Sequence, residues 1–215
     1  MPDVVLIRPG CTDYDEQDRI QGTLDLPLNP HGREQLREVC DRLGDVPLEV
    51  IYAAPGEPAR SMAEALGEAL DVPVKECEGL RNLDQGLWQG LRVEEVRRKF
   101  PRVYKQWQES PETICPPEGE FVADALARIR KCLQKPLKRK DPFALVVSEP
   151  LATLASCVIR GVVVDHAAPV CGGGRLSLVE FIGTNGAAAE RHGRDAPAGA
   201  PIRGKNAAPS GGQST

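Results

Sequence analysis

Short apolar runs alternate with longer segments of helical periodicity along most of this chain. The first run, Val4–Ile7, is continuously aliphatic and breaks at residues 8–10, which is typical of a buried strand that ends in a loop. Further runs at residues 50–54, 72–74, 143–148 and 176–182 predict four more strands, of which the last alternates and is expected at an edge. In open α/β sheets, ligands bind at the loops that follow the strands' carboxyl ends. Residues 8–12 are therefore the first candidate site.

Apolar positions recur at helical spacing between these runs and predict a regular alternation of strands and helices. Asn29 is expected to cap a helix that Gly44 ends, and Pro58 and Pro150 are expected at the first positions of two others. Helices are also predicted at residues 93–100 and from residue 122 into a basic run made of Lys131, Lys135, Lys138, Arg139 and Lys140. Residues 13–18 predict a solvated acidic loop, residues 80–90 an ordered loop and residues 107–118 a proline-bearing excursion. This alternation predicts an α/β fold.

Composition narrows the class of protein. A chain of 215 residues that is 41% hydrophobic suits one well-cored domain, placed at residues 1–182, while the Gly-, Ala- and Pro-rich residues 183–215 predict a disordered tail. The net charge of −4 provides no general attraction for nucleic acid. No apolar run is long enough for a membrane span and no signal peptide opens the chain, so we expect a cytoplasmic protein without membrane contact.

The seven cysteines are scattered and include no C-x-x-C pair. This pattern argues against a zinc site and against a disulfide framework, so most of them are expected to be buried thiols. No metal or cofactor is expected on these grounds.

Several short motifs follow one another along the chain in a characteristic order. They are Arg8-Pro9-Gly10-Cys11-Thr12, Arg19-Ile20-Gln21-Gly22, Pro27-Leu28-Asn29, Ile51-Tyr52, Leu80-Arg81 with Gly86 and Trp88, and Pro116-Pro117 with Gly119-Glu120. Over roughly residues 3–182 this order resembles the histidine phosphatase superfamily. The resemblance implies the phosphoglycerate mutase-like fold, a three-layer α/β/α sandwich around a mostly parallel sheet.

The resemblance also implies phosphoryl transfer through a phosphohistidine, which needs a nucleophilic histidine, a second histidine, two arginines and an acid for the leaving group. At the matching positions this chain keeps Arg8. It has Pro9 for the nucleophile, Pro58 for the second arginine, Asn82 for the acid and Glu149 for the second histidine. The chain is therefore expected to be a catalytically inactive relative with a binding, regulatory or scaffolding role.

The negative charge of Glu149 supports the expectation of an inactive protein. A carboxylate about 4 Å from a phosphate oxygen opposes binding by roughly 4 kcal/mol at an effective dielectric of 20. Glu149 is therefore predicted to pair with Arg8 and to occupy the phosphate position. The residues expected in this remnant cleft are Arg8, Gly10, Cys11, Thr12, Arg19, Gln21, Asn82 and Glu149.

Two alternatives stay open. The chain could be a weak phosphatase or other hydrolase that uses Cys11 or a bound water at the remodelled cleft, with Arg8 orienting the substrate. Its working part could instead be the tail or the basic run, with the domain as a carrier. The partner, a protein or a small ligand, is not identified by the sequence, and a homodimer is compatible with it.

Overall fold

The computed structural model describes residues 2–109, 115–162 and 177–183. Five strands form one sheet: β1 (Val4–Ile7), β2 (Val50–Ala53), β3 (Val74–Glu76), β4 (Phe143–Val146) and β5 (Val179–Ile182). Their order across the sheet is β3-β2-β4-β1-β5. The three pairings among the first four strands in that order are parallel, and β5 runs antiparallel to β1. The predicted mostly parallel sheet with β5 at an edge is confirmed.

Seven α-helices accompany the sheet in the described residues: α1 (Asp13–Glu16), α2 (Pro30–Leu43), α3 (Ala59–Leu70), α4 (Val93–Lys99), α5 (Pro101–Glu109), α6 (Val122–Lys138) and α7 (Leu151–Arg160). Every residue of β1 and β4 is buried, which requires cover on both faces of the sheet. The expected three-layer α/β/α architecture is therefore confirmed.

The centre of the sheet forms the core. Leu6 on β1 lies beside Leu145 on β4, and both side chains are fully buried. Helix α6 contributes Ile129 and Leu133, which are equally inaccessible. Burial of each such side chain contributes about 1.5–3 kcal/mol, so the two central strands are held firmly in register. The loops at their carboxyl ends start from a rigid platform.

The strand order has a reversal between β1 and β4. The chain leaves β1 toward β2 on one side of the pair, and it leaves β4 toward β5 on the other side. Such a switch point leaves a crevice at the carboxyl ends of the two strands, where α/β proteins bind ligands. The loops that begin at Arg8 and at Val147 border this crevice.

Two segments expected to be irregular are helical. Residues 13–16 form α1 rather than a loop, because Thr12 and Asp15 form a capping box that satisfies the first turn. The predicted excursion begins inside α5, where Trp107 is buried and its ring lies 5.1 Å from that of Trp88. Residues 110–114 of that excursion lie outside the described part.

Several predicted boundaries shift by a few residues. Strand β3 begins at Val74, two residues later than expected, and β5 begins at Val179, three residues later than expected. Pro58 and Pro150 immediately precede α3 and α7 rather than opening them. The predicted disordered tail lies outside the described residues, apart from Gly183. No described helix combines the length and the apolarity that crossing a bilayer would require.

The expectation of mostly buried, unpaired cysteines is wrong. Cys77, which follows β3, and Cys132 on α6 form a disulfide. The described free thiols are only partly buried; they belong to Cys11, Cys40, Cys115 and Cys157. Burial is the main cause that raises the pKa of the last three, so these thiols are poor nucleophiles at neutral pH.

Candidate functional site

An ion pair spans the crevice at the reversal point. Arg8, directly after β1, donates from Nε to Glu149 Oε1 at 2.6 Å, and Glu149 follows β4 by three residues. The second carboxylate oxygen of Glu149 accepts from the backbone N–H of Thr153 in the first turn of α7 at 3.2 Å. The side chain of Arg8 is 10% exposed and that of Glu149 is 27% exposed. The predicted pairing of Arg8 with Glu149 is confirmed.

The guanidinium of Arg8 is also held from the side of β5. Its Nη1 donates to the carbonyl of Ser177 at 3.2 Å and to Glu180 Oε2 at 3.1 Å. Its third nitrogen, Nη2, donates no hydrogen bond within the described residues. Nη2 is not a buried atom without a partner, since among the described side chains Gln85 Oε1 alone is of that kind. Arg8 therefore keeps one donor pair, on Nη2, that is not used within the described residues.

Glu180 links the crevice to the surface through a network that sequence reasoning missed. Its Oε1 accepts from Ser156 Oγ at 2.7 Å and from Arg160 Nη2 at 2.9 Å, both on α7. The charges of two arginines and two glutamates thus balance one another in ion pairs that connect β1, α7 and β5. The available signal was one charged residue inside the apolar run at residues 176–182. A charge in such a strand is tolerated when it is paired.

This network gives the fold a testable dependence on pH. Burial raises the pKa of Glu180, but hydrogen bonds from Arg160 and Ser156 and the charge of Arg8 outweigh burial and leave the pKa below its ordinary 4.5. A carboxyl whose pKa is lower in the folded than in the unfolded state stabilises the fold above the unfolded value. That stabilisation disappears as the pH falls through the folded value.

We therefore expect wild type to exceed Glu180→Gln in free energy of unfolding by a constant margin near neutral pH. The margin should shrink once the pH falls below about 4.5, the ordinary carboxyl value. Urea unfolding followed by circular dichroism across an acidic pH series measures it. A margin that stays the same from neutral to acidic pH would contradict the assignment.

Asn82 connects three segments at the crevice. Its Nδ2 donates to the carbonyls of Gly22 at 2.8 Å and Glu149 at 2.9 Å. Its Oδ1 accepts from the backbone N–H groups of Leu83 at 2.9 Å and Leu151 at 3.4 Å. The amide is fully engaged in fixing the backbone that bears Glu149. It therefore works as a structural tie in this arrangement.

Residues 10–12 lie against the start of α2. The backbone of Cys11 donates to Gln35 Oε1 at 2.8 Å and its carbonyl accepts from the N–H of Asn29 at 3.0 Å. Thr12 is completely buried, and its hydroxyl is used in capping α1. A Cβ on Gly10 would collide with the backbone of Gly32, and a Cβ on Gly32 would collide with the backbone of Cys11. These residues shape the loop, while Thr12 has no hydroxyl to offer a ligand.

Arg19 makes its contacts away from the ion pair of Arg8 and Glu149, whereas Gln21 lies beside the residue that precedes Pro58. Arg19 donates from Nη1 to the carbonyl of Gly90 at 2.6 Å and lies over the ring of Tyr14, with no hydrogen bond to Arg8 or Glu149 in the described part. It lines a separate surface hollow of about 370 Å³ with Arg92, Glu94, Glu95 and Arg98. The backbone of Arg19 follows the turn at residues 17–18 and pairs with that of Arg92, which places its side chain near the loop at residue 90. Gln21 reaches the carbonyl of Glu57 at 3.4 Å.

The arrangement limits the chemistry that the crevice can support. Pro9 and Pro58 have no side-chain donor, acceptor or nucleophile, and Pro58 serves as the residue before α3. Within the ranges that the structure describes, no three His, Cys, Asp or Glu side chains gather as metal ligands. What the crevice does offer is a partly exposed carboxylate beside an arginine whose Nη2 makes no hydrogen bond within the described part of the chain. Such a pair can hold an anion and accept a proton from water.

Comparison with known proteins shows relatives that are named as phosphatases. Phosphoserine phosphatase 1 from Hydrogenobacter thermophilus is 29% identical over 164 residues, which are 75% of this chain and 78% of the relative. Phosphatase PhoE from Bacillus subtilis, described as uncharacterized, is 34% identical over 101 residues, 47% of this chain and 52% of the relative. A mycobacterial glucosyl-3-phosphoglycerate phosphatase, solved with VO3, superposes with a TM-score of 0.73 at 26% identity, covering 84% of this chain and 90% of that one.

These relatives overturn one expectation. A non-catalytic protein with a binding, regulatory or scaffolding role was expected from the residues at the five family positions. That expectation is wrong, because the relatives found across most of the chain are named as phosphatases.

The fold comparison agrees with the sequence comparison, since the structural match covers 84% of this chain. The chain belongs to the histidine phosphatase superfamily (branch 1), because the model of that family matches residues 4–168, which are well over half of the chain.

Proposed function

We propose that this protein is a phosphatase that hydrolyses small phosphate monoesters at the crevice between β1 and β4. Membership of the superfamily and the names of the relatives support this class of reaction. The observation on which the proposal chiefly rests is that Arg8 lies beside the carboxylate of Glu149 while its Nη2 donates no hydrogen bond within the described residues. One group holds an anion and the other accepts a proton, and both are needed for hydrolysis.

In this proposal a water molecule is the nucleophile. A phosphoryl oxygen accepts a hydrogen bond from Arg8 Nη2. Glu149 takes a proton from the attacking water while the water oxygen forms its bond to phosphorus. The bond between phosphorus and the ester oxygen breaks, which yields inorganic phosphate and the free alcohol or phenol. Glu149 is assigned this role because its carboxylate lies beside the arginine that holds the phosphate.

The leaving group should matter for the rate. The amide of Asn82 is engaged on both sides and has no proton to donate at neutral pH. The departing oxygen must therefore take its proton from bulk water. Phenols leave more easily than alcohols under these conditions, so aryl phosphates are expected to react faster than alkyl phosphates such as phosphoserine.

Glu149 should also weaken substrate binding. Its charge opposes the phosphate, while Arg8 is already shared with Glu180 and the Ser177 carbonyl. We expect a KM near the upper end of the usual enzymatic range, about 1 mM. Assays at low substrate concentration would miss the activity.

Phosphate release from p-nitrophenyl phosphate and phosphoserine by the purified full chain tests the proposal. We expect saturable turnover that is faster with the aryl ester and that persists in Cys11→Ala. Turnover that Cys11→Ala abolishes would assign a thiolate nucleophile and refute the water mechanism. If neither ester is hydrolysed above a protein-free blank at millimolar substrate, the proposed function is wrong.

A further inference from the structure

Helix α6 holds the crevice loop through one side chain, Arg128. Its Nη1 donates to the carbonyls of Gly79 at 2.9 Å and Arg81 at 2.6 Å, and its Nη2 donates to the carbonyl of Asn82 at 3.3 Å. Three carbonyls of the segment at residues 79–82 therefore converge on one guanidinium. The planar fork of arginine suits such an arrangement, and a lysine ammonium does not reproduce it.

The orientation of Arg128 is itself fixed. Glu120 binds it in a bidentate manner, at 2.7 Å from Nε and 2.8 Å from Nη2. Both side chains are about one quarter exposed, which reduces the competition from water. The N–H of Glu120 donates to the carbonyl of Asp84, so the same acid is anchored to the loop that Arg128 holds. Arg128 therefore has little freedom to release the segment.

Asn82 transmits this anchoring to the crevice. Arg128 holds its backbone from the side of α6, and its side chain donates to the carbonyl of Glu149. It also accepts from the N–H of Leu151 at the start of α7. Two hydrogen bonds in series thus connect Arg128 with the residue proposed as the base. If Asn82 moves, the backbone of Glu149 loses the contact that sets its position.

We propose that Arg128 is a positioning residue for hydrolysis, which fixes Glu149 through Asn82 although it lies outside the crevice. The inference rests on the proposed function, because it assigns Glu149 the role of base. Arg128 makes no hydrogen bond or ion pair with Arg8 within the described residues, so substrate binding is not expected to depend on it. Its effect should appear in kcat rather than in KM.

Arg128→Met tests the proposal because it keeps most of the aliphatic stem and removes the fork. We expect kcat to fall by about 10- to 100-fold, as small misplacements of catalytic groups cause, with KM unchanged. The exposed Arg130→Met on the same helix is the matched control and should retain wild-type kcat. The disulfide between Cys77 and Cys132 joins the same two segments, so the variant should stay folded. Circular dichroism and the thermal midpoint check this.

Because Arg128 acts on Glu149 through Asn82, a double variant provides a second test. Asn82→Ala combined with Arg128→Met should lower kcat no further than Asn82→Ala alone, because both changes remove one path. Effects that multiply, or a rise in KM at constant kcat, would overturn the proposal.

Amide hydrogen exchange separates this inference from the proposed function. The N–H groups of Leu83 and Leu151, which donate to Asn82 Oδ1, should exchange faster in Arg128→Met than in Arg130→Met. Absence of wild-type turnover would refute the proposed function and with it the catalytic role of Arg128. Unchanged exchange in an active enzyme would refute the positioning role alone.

Discussion

Replacing Glu149 with glutamine is expected to lower kcat for p-nitrophenyl phosphate by about 10²- to 10⁴-fold, which is the usual contribution of a general base. Glutamine is nearly isosteric with glutamate, and its amide oxygen can still accept from Arg8 Nε, whereas its NH2 group cannot accept from the Thr153 N–H. The contact with Arg8 should therefore survive the change. What is lost is the ability to take a proton from water.

The same change should also lower KM. The carboxylate that acts as base also repels the substrate's phosphate, and glutamine removes that repulsion together with the base. A fall in both constants distinguishes Glu149 from a residue that only binds substrate. Steady-state kinetics on Glu149→Gln are compared with Glu68→Gln, an exposed position on α3 that should behave as wild type. Retention of full kcat in Glu149→Gln would exclude it as the base.

Replacing Gly32 with alanine is expected to lower the free energy of unfolding by about 3 kcal/mol, the upper end of the usual cost of overpacking. A Cβ at this position would collide with the carbonyl oxygen of Cys11 and lie 2.9 Å from its backbone nitrogen. All the atoms that it meets there belong to the backbone, which cannot rotate aside as a side chain can. Either α2 or the loop at residues 8–12 must move.

Gly44→Ala is the matched control at the other end of the same helix. Its added Cβ would make only ordinary contacts, 3.7 Å from the carbonyl oxygen of Asp41, and the backbone there is already helical. Alanine should be neutral or slightly stabilising at this site. Urea unfolding of both variants gives the comparison. Equal stabilities for the two variants would show that residues 11 and 32 are not in close contact.

Patterns that depend on the order of residues along the chain were sufficient to predict the sheet. The continuous aliphatic runs of β1 and β4 are both completely buried, as expected for central parallel strands. The order of motifs was also sufficient to pair Arg8 with Glu149 across 141 positions of sequence. Both predictions concern which segments meet at the carboxyl ends of neighbouring strands.

Contacts that depend on the direction in which a side chain points were not predicted from the sequence. Glu180 and Arg160 join the site because antiparallel pairing of β5 with β1 sets Glu180 opposite Leu6, a register that the sequence does not specify. Arg19 lies away from the expected cleft because its guanidinium finds the Gly90 carbonyl and the ring of Tyr14. A long side chain has several reachable partners, and tertiary packing selects among them.

Local capping chemistry explains the missed helix α1. Thr12 and Asp15 have the spacing of a capping box, but the density of acidic residues around them favoured a loop. The disulfide between Cys77 and Cys132 was missed for a different reason, because a separation of 55 residues leaves no local signature.

The way in which Arg8 is held affects the thermodynamics of anion binding. An arginine side chain that is free in solution loses about 2 kcal/mol of rotamer entropy when it is immobilised on a ligand. Two of the three guanidinium nitrogens of Arg8 are already fixed, by Glu149 on one side and by Ser177 and Glu180 on the other. Most of that entropy is therefore lost during folding. An anion that reaches Nη2 binds a donor with little remaining motion to lose, and its association should have only a small entropic penalty from the protein.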